Sequence, residues 1–490
     1  MNGVAQPMSE RVLHVVAEIY PLVKTGGLGD IAAALPAALR AQGVDARVLV
    51  PGYPVILDGV SGLQTVAELG SVMGAGRVRV LLGSMPGTGV PVYVLDAPWY
   101  FRRPGNPYLG EDARDWHDNP LRFALLGWVG AQLAFGGVDL GWEADILHAH
   151  DWHAGLASVY LRTQPVRRVR SVFSVHNLAF QGVFPLELGG QMGLPAWALR
   201  PPGGIEFYGN GNFMKGGLAF ADWLSTVSPG YAQEITTPAF GCGLDGILFE
   251  RRHQLTGILN GIDERVWNPS ADPEVAAPYS ADQLFGKIAN KTALQQEMRL
   301  DVNPNRLLAV MVSRLTDQKG ADLVLAALPR MKQLGIQLAL LGSGDRGMQE
   351  AFVRAAEADP GSVAVRIGYD EGLSHRLVAG GDIILVPSRF EPCGLTQMYG
   401  LRYGTLPLVR TVGGLADTVR ELEVFGRQPN GFAFTRPDVG DFSLALDRAM
   451  SLWRDSGAWQ WRMRQAMHCQ HGWGPAAAEY LALYRQVMVR

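Results

Sequence analysis

Short apolar runs alternate with helical stretches along the first half of the chain, and this pattern predicts parallel α/β structure. "VLHVVAE" at 12–18 is typical of a buried strand, and Ile31, Leu35 and Leu39 then recur every four residues along one helical face. We expect Asp30 to be the N-cap of this helix. Further strands follow in "ARVLVPGYP", "VPVYVLDAP", "ADILHAHDWH" and "RSVFSVHN". Strands that alternate with helices in this way predict a parallel sheet with helices on both faces.

The same pattern starts again in the second half of the chain. A strand, a polar loop and an amphipathic helix follow one another over 305–328, and "QLALLGSGD" and "DIILVPSRF" continue the series. The segment 258–305 is rich in Pro, Asp and Asn, as a linker or crossover would be. We therefore predict two doubly wound domains, 1–257 and 258–465, that face each other across a central cleft, with a final helix in 466–490.

Composition narrows the class of protein. The chain has 490 residues, 48% of them apolar and 18% charged, which is the balance of a well-packed protein of more than one domain. The net charge of -3 does not indicate the basic surface that nucleic-acid-binding proteins have. No apolar run reaches the roughly 18 residues that a membrane span needs. The three cysteines have no paired spacing and the N-terminus does not resemble a signal peptide, so we expect a cytoplasmic location.

The first loop with possible chemistry is "KTGGLGD", residues 24–30. Its glycines permit positive φ and a close approach of backbone amides to a ligand, and Lys24 adds a positive charge. The spacing fits neither a Walker A loop nor the G-x-G-x-x-G fingerprint. A phosphate-binding loop and a plain strand–helix turn with a solvated lysine therefore both remain open.

Two later strands end in histidines. "HAHDWH" at 148–153 invites a metal interpretation, but Asp151 is displaced by one position from the dinuclear metallohydrolase pattern, so we favour a polar cluster without metal. His176 and Asn177 follow the next strand, where either a functional or a structural role is open.

The second half of the chain contributes two more loops. Arg314 and Lys319 in "SRLTDQKG" can converge on one diphosphate, unless they are two solvated cations. Glu391 precedes Pro392, a favoured first residue of a helix, and the amides of 394–396 could bind an anion there. The alternative is that Glu391 only caps the helix.

Taken together, these motifs resemble the bacterial glycogen synthases and the related starch synthases. "KTGGLGD", "HAHDWHAGL", "VHNLAFQG", "NGID", "SRLTDQKG" and "EPCGLTQMYG" occur in the family's order and spacing, so the resemblance covers nearly the whole chain. It implies a GT-B fold of two Rossmann-like domains whose C-terminal helix returns to the N-terminal domain. It also implies transfer of glucose from ADP-glucose to the non-reducing end of an α-1,4-glucan with retention, without metal or pyridoxal phosphate.

The resemblance assigns roles to individual residues. Arg314 and Lys319 neutralise the diphosphate leaving group, and His176 lies against the glucose near the reacting carbon. Glu391 contacts sugar hydroxyls, and we favour same-face attack over a covalent intermediate on this residue. The remaining members of these loops form the predicted substrate-binding set: Lys24, Gly26, Gly27, Asp30, Asp151, Asn177, Asn260, Cys393, Gly394, Leu395 and Thr396.

Four alternatives remain beside this interpretation. The nearest is another GT-B transferase that uses UDP-glucose, and the next is a metallohydrolase that uses His148, His150 and His153. A glucan phosphorylase and a non-catalytic glycan-binding protein are the others. One departure from the family's pattern is Val412, which precedes Gly413-Gly414-Leu415 where a threonine is expected. Neither the oligomeric state nor allosteric control can be inferred from the sequence.

Overall fold

The structure is a computed structural model that describes residues 9–112, 114–166 and 168–489. The chain divides into two compact units. The N-terminal unit consists of residues 9–227, 232–258 and 473–489, and the C-terminal unit of residues 228–231 and 259–472. The chain therefore passes between the two units more than once.

Each unit is built on a mainly parallel sheet. The strands are β1 (Arg11–Val15), β2 (Asp45–Pro51), β3 (Ser61–Gly70), β4 (Val78–Ser84), β5 (Pro91–Asp96), β6 (Ile146–His150), β7 (Arg170–Val175), β8 (Val183–Pro185), β9 (Glu206–Phe207), β10 (Asn210–Asn212), β11 (Trp223–Thr226), β12 (Leu255–Gly257), β13 (Leu308–Val312), β14 (Gln337–Gly342), β15 (Val363–Ile367), β16 (Ile383–Val386), β17 (Leu406–Arg410) and β18 (Phe432–Phe434).

In the N-terminal unit the strand order is β12-β11-β7-β6-β1-β2-β5-β4-β3. The strands from β12 to β5 pair in parallel, as predicted, whereas β4 pairs antiparallel with both β5 and β3. The antiparallel edge was not predicted. A separate small sheet has the order β8-β10-β9. The six strands of the C-terminal unit are all parallel, in the order β15-β14-β13-β16-β17-β18.

Helices connect these strands. They are α1 (Gly27–Ala41), α2 (Pro54–Gly59), α3 (Pro98–Phe101), α4 (Asn119–Ala134), α5 (Asp151–Ala154), α6 (Ala157–Arg162), α7 (Ala196–Leu199), α8 (Phe213–Phe220), α9 (Pro229–Glu234), α10 (Asp245–Glu250), α11 (Phe285–Glu297), α12 (Ala321–Leu334), α13 (Arg346–Ala358), α14 (Glu371–Gly380), α15 (Thr396–Arg402), α16 (Gly413–Thr418), α17 (Val439–Trp453), α18 (Ser456–Met467) and α19 (Trp473–Val489). Among the described residues, no helix combines the length and apolar character needed to cross a membrane.

Two sequence-based expectations about helices were wrong. Helix α1 begins at Gly27, so Asp30 lies in its first turn and is not its N-cap. The expected linker contains α11, which packs on α14: the Lys287 ammonium donates to the carbonyls of Val378 and Ala379. Proline and aspartate indicate a loop but do not show where the loop ends, so the Pro- and Asp-rich start of the segment hides the helix that follows it.

The C-terminal helix α19 belongs to the N-terminal unit, as the resemblance implied. Tyr480 and Tyr484 of α19 are fully buried in a core that also contains Leu35 and Leu39 of α1. The last helix of the chain therefore completes the hydrophobic core beside the first helix. The core of the C-terminal unit is separate and lies between its sheet and α12, α17 and α18.

Candidate active site

Lys24 lies in the loop between β1 and α1 and is partly exposed. Its Nζ is 3.0 Å from Oδ1 of Asp30 and 5.2 Å from the ring centroid of Tyr20. Both residues were predicted to bind substrate, and in the structure they pair with each other. A carboxylate one turn into the helix thus holds the ammonium at the N-terminus of α1, where helix amides also face.

The glycines of this loop differ in what the fold requires of them. Gly26 has φ -162, an extended conformation that any residue adopts, and neither Gly27 nor Gly29 has positive φ, so the expected left-handed conformations are absent. A Cβ added to Gly29 would lie 3.0 Å from the carbonyl oxygen of Val23, whereas one added to Gly26 or Gly27 meets no atom within 4 Å. Close packing against Val23 explains why residue 29 is a glycine. The open space at Gly26 and Gly27 would allow a ligand to approach the backbone.

Glu18 holds this loop in place, and sequence reasoning missed it. The carboxylate is 2% exposed and accepts from the backbone nitrogen and the hydroxyl of Thr25, both at 2.6 Å, and from the hydroxyl of Tyr108. Three donors on one buried carboxylate fix Thr25 beside Lys24. The sequence signal that could have identified Glu18 is its position directly after the first apolar strand, where the ligand-binding loops of parallel sheets begin.

The histidines of "HAHDWH" have different surroundings. His148 is fully buried, with Nδ1 at 2.7 Å from the hydroxyl of Tyr484 and Nε2 at 2.6 Å from Oγ of Ser174. His148 therefore ties helix α19 to strand β7. His153 stacks on the ring of Tyr108 with centroids 4.7 Å apart. Neither of these histidines lies beside His176 in the way that His150 does.

His14, which sequence analysis did not select, forms a group with His148 and His150 whose ligand atoms all lie within 4.8 Å of one another. The metallohydrolase alternative named His153 as the third ligand, and His153 is outside this group. Most of the ring nitrogens in the group already make protein hydrogen bonds: Nδ1 of His14 is 3.0 Å from Nε2 of His150, and both nitrogens of His148 have partners. This geometry favours a hydrogen-bonded network over a metal centre.

His176 follows β7 and is buried. Its Nε2 is 2.9 Å from Nδ1 of His150, and its Nδ1 has no partner among the residues that the structure describes. Burial lowers the pKa of His176 to about 3, so the ring is neutral at physiological pH. A neutral ring with one free nitrogen offers a single hydrogen bond to a ligand. Asn177 uses its side-chain oxygen in the local turn, where it accepts from the backbone nitrogen of Ala179 at 3.1 Å.

Asp151 takes an unusual conformation at the end of β6. Its φ is +56, which is rare for a residue other than glycine. The carboxylate accepts from the backbone nitrogens of His176 at 2.7 Å and Asn177 at 3.3 Å. Burial nevertheless raises the pKa of Asp151 to about 7. Asp151 therefore fixes the backbone at the end of the neighbouring strand.

In the C-terminal unit the candidate residues follow β13 and β16, which are neighbours in the sheet. The chain leaves these two strands in opposite directions, and ligands of doubly wound sheets bind at such switch points. The Lys319 ammonium is 2.5 Å from Oε2 of Glu391, and the Ser388 hydroxyl donates to the same oxygen at 2.9 Å. Arg314 is exposed, and its guanidinium makes no ion pair within the described part of the chain.

A cavity of about 50 Å³ lies at these strand ends. It is lined by Met311, Val312, Ser313, Lys319, Leu385, Val386, Ser388, Glu391, Gly394, Leu395 and Thr396. The structure therefore brings together Lys319, Glu391 and the 394–396 backbone, while Arg314 is not among the lining residues.

Two hydrogen bonds from other segments of the C-terminal unit hold the loop around Glu391 in place. The carbonyl of Glu391 accepts from the backbone nitrogen of Gly414 at 3.1 Å, and that of Pro392 accepts from the Ser228 hydroxyl at 2.6 Å. Gly394 has φ +72, the left-handed region that favours glycine. Helix α15 begins at Thr396, so the expectation that Pro392 starts it was wrong. The loop approaches the cavity as non-helical backbone with several bends, held by Gly414 and Ser228.

Asn260 and Cys393 lie side by side in the C-terminal unit. Both are buried, and Asn260 offsets part of the effect of burial on the pKa of the Cys393 thiol. Burial raises the pKa of Cys393 to about 12, so this thiol is un-ionised. The side-chain oxygen of Asn260 is buried and has no partner among the described residues.

Two doubly wound units, each with candidate ligand-binding loops at its strand ends, make up the architecture of the GT-B glycosyltransferases. Comparison with known families agrees: residues 11–250 match the starch synthase catalytic domain, and residues 295–465 match the glycosyl transferases group 1. The chain belongs to the glycogen synthase family of glycosyltransferases.

Relatives and solved structures support this membership over nearly the whole chain. A glycogen synthase of Leptothrix cholodnii is 50% identical over 97% of this chain and 99% of its own length. A glycogen synthase of Serratia proteamaculans is 49% identical over 97% of this chain and 100% of its own. The catalytic domain of starch synthase IV from Arabidopsis thaliana, solved with ADP and acarbose, superposes with a TM-score of 0.88 at 32% identity, covering 98% of this chain and 100% of that one.

Proposed function

We propose that this chain transfers glucose from ADP-glucose to the non-reducing end of an α-1,4-glucan, with retention of configuration. The observation that carries the proposal is the Lys319–Glu391 pair at the switch point of the C-terminal unit, beside the cavity that residues 394–396 also line. The relatives named glycogen synthase and the ADP-bound starch synthase support this donor and acceptor.

Lys319 and Arg314 act on the leaving group. Cleavage of the bond between glucose and diphosphate develops negative charge on the departing oxygen, and a cation placed there stabilises the transition state more than the ground state. Lys319 is held by Glu391 and needs little reorganisation, whereas the exposed Arg314 guanidinium is free to form a bidentate contact with phosphate. The amides of 394–396 take the distal phosphate.

Glu391 orients Lys319 and contacts sugar hydroxyls. The Lys319 ammonium and the Ser388 hydroxyl both donate to Oε2 of Glu391 and draw electron density from the carboxylate, which lowers its nucleophilicity. The acceptor hydroxyl instead attacks from the face that the diphosphate leaves, and a phosphate oxygen takes its proton. Positive side chains supply the charge that a metal would otherwise supply, so the proposed reaction requires neither metal nor pyridoxal phosphate.

The N-terminal unit contributes to the same reaction. Lys24 adds a cation and the Gly26–Gly27 backbone admits a phosphate oxygen, since a Cβ at either glycine would meet open space. The free Nδ1 of His176 bonds a glucose hydroxyl near the reacting carbon. Asp151 orders the backbone that carries His176. All three cysteines are unpaired, which favours a reducing compartment, and we assign the chain to the cytoplasm.

A donor panel tests the proposal. Glucose incorporation into glycogen is measured from ADP-, UDP- and GDP-glucose, each with and without a chelator. The expected result is incorporation mainly from ADP-glucose that is unchanged by chelator. Preference for UDP-glucose would show that the proposed donor is wrong but would not contradict glucosyl transfer itself. Loss of activity with chelator would contradict the metal-free mechanism.

A further inference from the structure

Three buried histidines form a continuous hydrogen-bonded chain in the N-terminal unit. Nδ1 of His14 is 3.0 Å from Nε2 of His150, and Nδ1 of His150 is 2.9 Å from Nε2 of His176. The rings lie nearly parallel, with interplanar angles of 22° and 28°. The chain runs along the carboxyl ends of β1, β6 and β7, which are neighbours in the sheet.

Each ring of the chain is neutral. Burial lowers the pKa of His14 and of His176 to about 3, and the pKa of His150 is lowered well below its usual range by burial and by its neighbouring histidines. A neutral imidazole carries one N–H donor and one bare nitrogen acceptor. Each of the two hydrogen bonds needs one N–H donor and one bare nitrogen acceptor. The tautomer of each ring therefore determines the tautomer of the next ring in the chain.

Only two arrangements satisfy both bonds. In the first, all three rings carry the proton on Nε2, which leaves a bare Nδ1 on His176 and an Nε2–H on His14. In the second, all three carry it on Nδ1, which gives His176 an Nδ1–H donor and leaves Nε2 of His14 bare. Neither terminal nitrogen has a described partner. The proton position on His176 is thus tied to that on His14, two rings away.

The second arrangement is the better one once a ligand is bound. His14 is 1% exposed, and an N–H buried there without an acceptor costs more than a bare nitrogen does. His176 is 8% exposed, and although its Nδ1 is itself buried, the proposed function places a glucose hydroxyl beside it as an acceptor. We infer that His150 and His14 are positioning residues that hold His176 as an Nδ1–H hydrogen-bond donor toward the sugar. This inference rests on the proposed function, which places a glucose hydroxyl at His176.

Two substitutions of His150 separate this role from simple packing. Asparagine places a polar atom where Nδ1 of histidine lies, facing His176, whereas glutamine reaches the position of Nε2, facing His14. We expect His150→Asn to keep most of kcat and His150→Gln to lose on the order of tenfold to a hundredfold, with little change in KM for the donor. If His150 only filled space, glutamine, the closer match in size, would be tolerated better.

The tautomers are measured directly by nitrogen-15 NMR of histidine-labelled protein. The His176 signals are assigned from the spectrum of His176→Asn. The wild-type protein bound to ADP and a maltooligosaccharide is expected to show Nδ1–H at His14, His150 and His176 together. Nε2–H at His176, or different tautomers along the chain, would overturn the inference even if every variant of His150 failed to fold.

His148 provides the matched control. It is equally buried, and its ring centroid is 4.0 Å from that of His150, but its hydrogen bonds go to Tyr484 and Ser174. His148→Asn should leave the His176 tautomer and kcat unchanged while lowering stability. A wild-type protein that transfers no glucose yet shows the Nδ1–H chain would refute the proposed function and leave the chain of histidines standing. Equal activity of His150→Asn and His150→Gln would refute the positioning role.

Discussion

Replacing Lys319 by alanine separates its role in catalysis from its role in the fold. The ammonium is 2.5 Å from Glu391, and the two side chains are 20% and 8% exposed. Loss of one preplaced donor at a developing oxyanion costs about 2.7–4 kcal/mol of barrier, so we expect kcat to fall by about a hundredfold to a thousandfold. Glu391 would keep only Ser388 as a donor, and because the pair is partly open to solvent we expect a loss of only about 1–3 kcal/mol in unfolding free energy.

The double variant Lys319→Ala/Glu391→Gln distinguishes the two effects. A neutral amide at 391 removes the unpaired carboxylate, so the unfolding free energy measured by urea titration should return to within about 1 kcal/mol of wild type. The initial rate of glucose transfer should remain as low as in the single variant. Recovery of kcat in the double variant would refute the reasoning, because Lys319 would then act only by neutralising Glu391.

A lysine elsewhere in the same unit provides the control. Lys332 pairs with Asp359 at 3.1 Å, but its side chain is 70% exposed. Lys332→Ala should leave kcat unchanged and should change the unfolding free energy by no more than about 0.5 kcal/mol, since exposed ion pairs contribute little to stability. A Lys319→Ala variant that behaved like Lys332→Ala would remove Lys319 from the mechanism.

Four further substitutions test other parts of the proposed function and of the fold. Gly26→Ala should leave the thermal unfolding midpoint nearly unchanged and sharply reduce glucose transfer. Gly29→Ala should lower the midpoint, because its new Cβ would contact a carbonyl oxygen. If Gly26→Ala transferred glucose as fast as wild type, a ligand at that backbone would be contradicted. Burial raises the folded pKa of Asp151 to about 7, above its unfolded value, so the stability that this carboxyl contributes should fall as pH rises from about 4 to 7. The unfolding free energy of wild type minus that of Asp151→Asn, measured by urea titration, should decrease over this range, and a difference that does not change with pH would refute the shifted pKa. Tyr484→Phe removes the hydrogen bond to His148 and should cost about 1 kcal/mol of unfolding free energy with kcat retained, whereas loss of kcat would couple α19 to catalysis.

Strand positions were readable from the sequence because the buried parallel strands are continuous apolar runs. The predicted runs coincide with β1, β7 and β13, and the loops after these strands carry Lys24, His176 and Lys319. Helix starts were less readable. Asp30 and Pro392 are residue types typical of a helix N-terminus, yet the helices begin at Gly27 and Thr396, since loop geometry and packing override local preference.

Pairings between distant residues could not be predicted. Lys319 and Glu391 were assigned separate roles, but their contact depends on β13 and β16 being neighbours, which the order of strands along the chain does not specify. The chain of histidines depends on register, because His14 pairs with His148 across the sheet while its ring bonds to His150. Glu18 was missed for the same reason, since two of its three donors come from a loop that folds back on it and the third from Tyr108.

The central claim is retaining glucosyl transfer by positive side chains without metal. Proton NMR of ADP-glucose and maltotetraose mixed with the enzyme in chelator follows the donor, the new linkage and free glucose in one sample. The account predicts that each ADP released is matched by one new α-1,4 linkage, with free glucose remaining minor. A β-linked product, release of glucose in place of transfer, or no reaction until a divalent metal is added would contradict it.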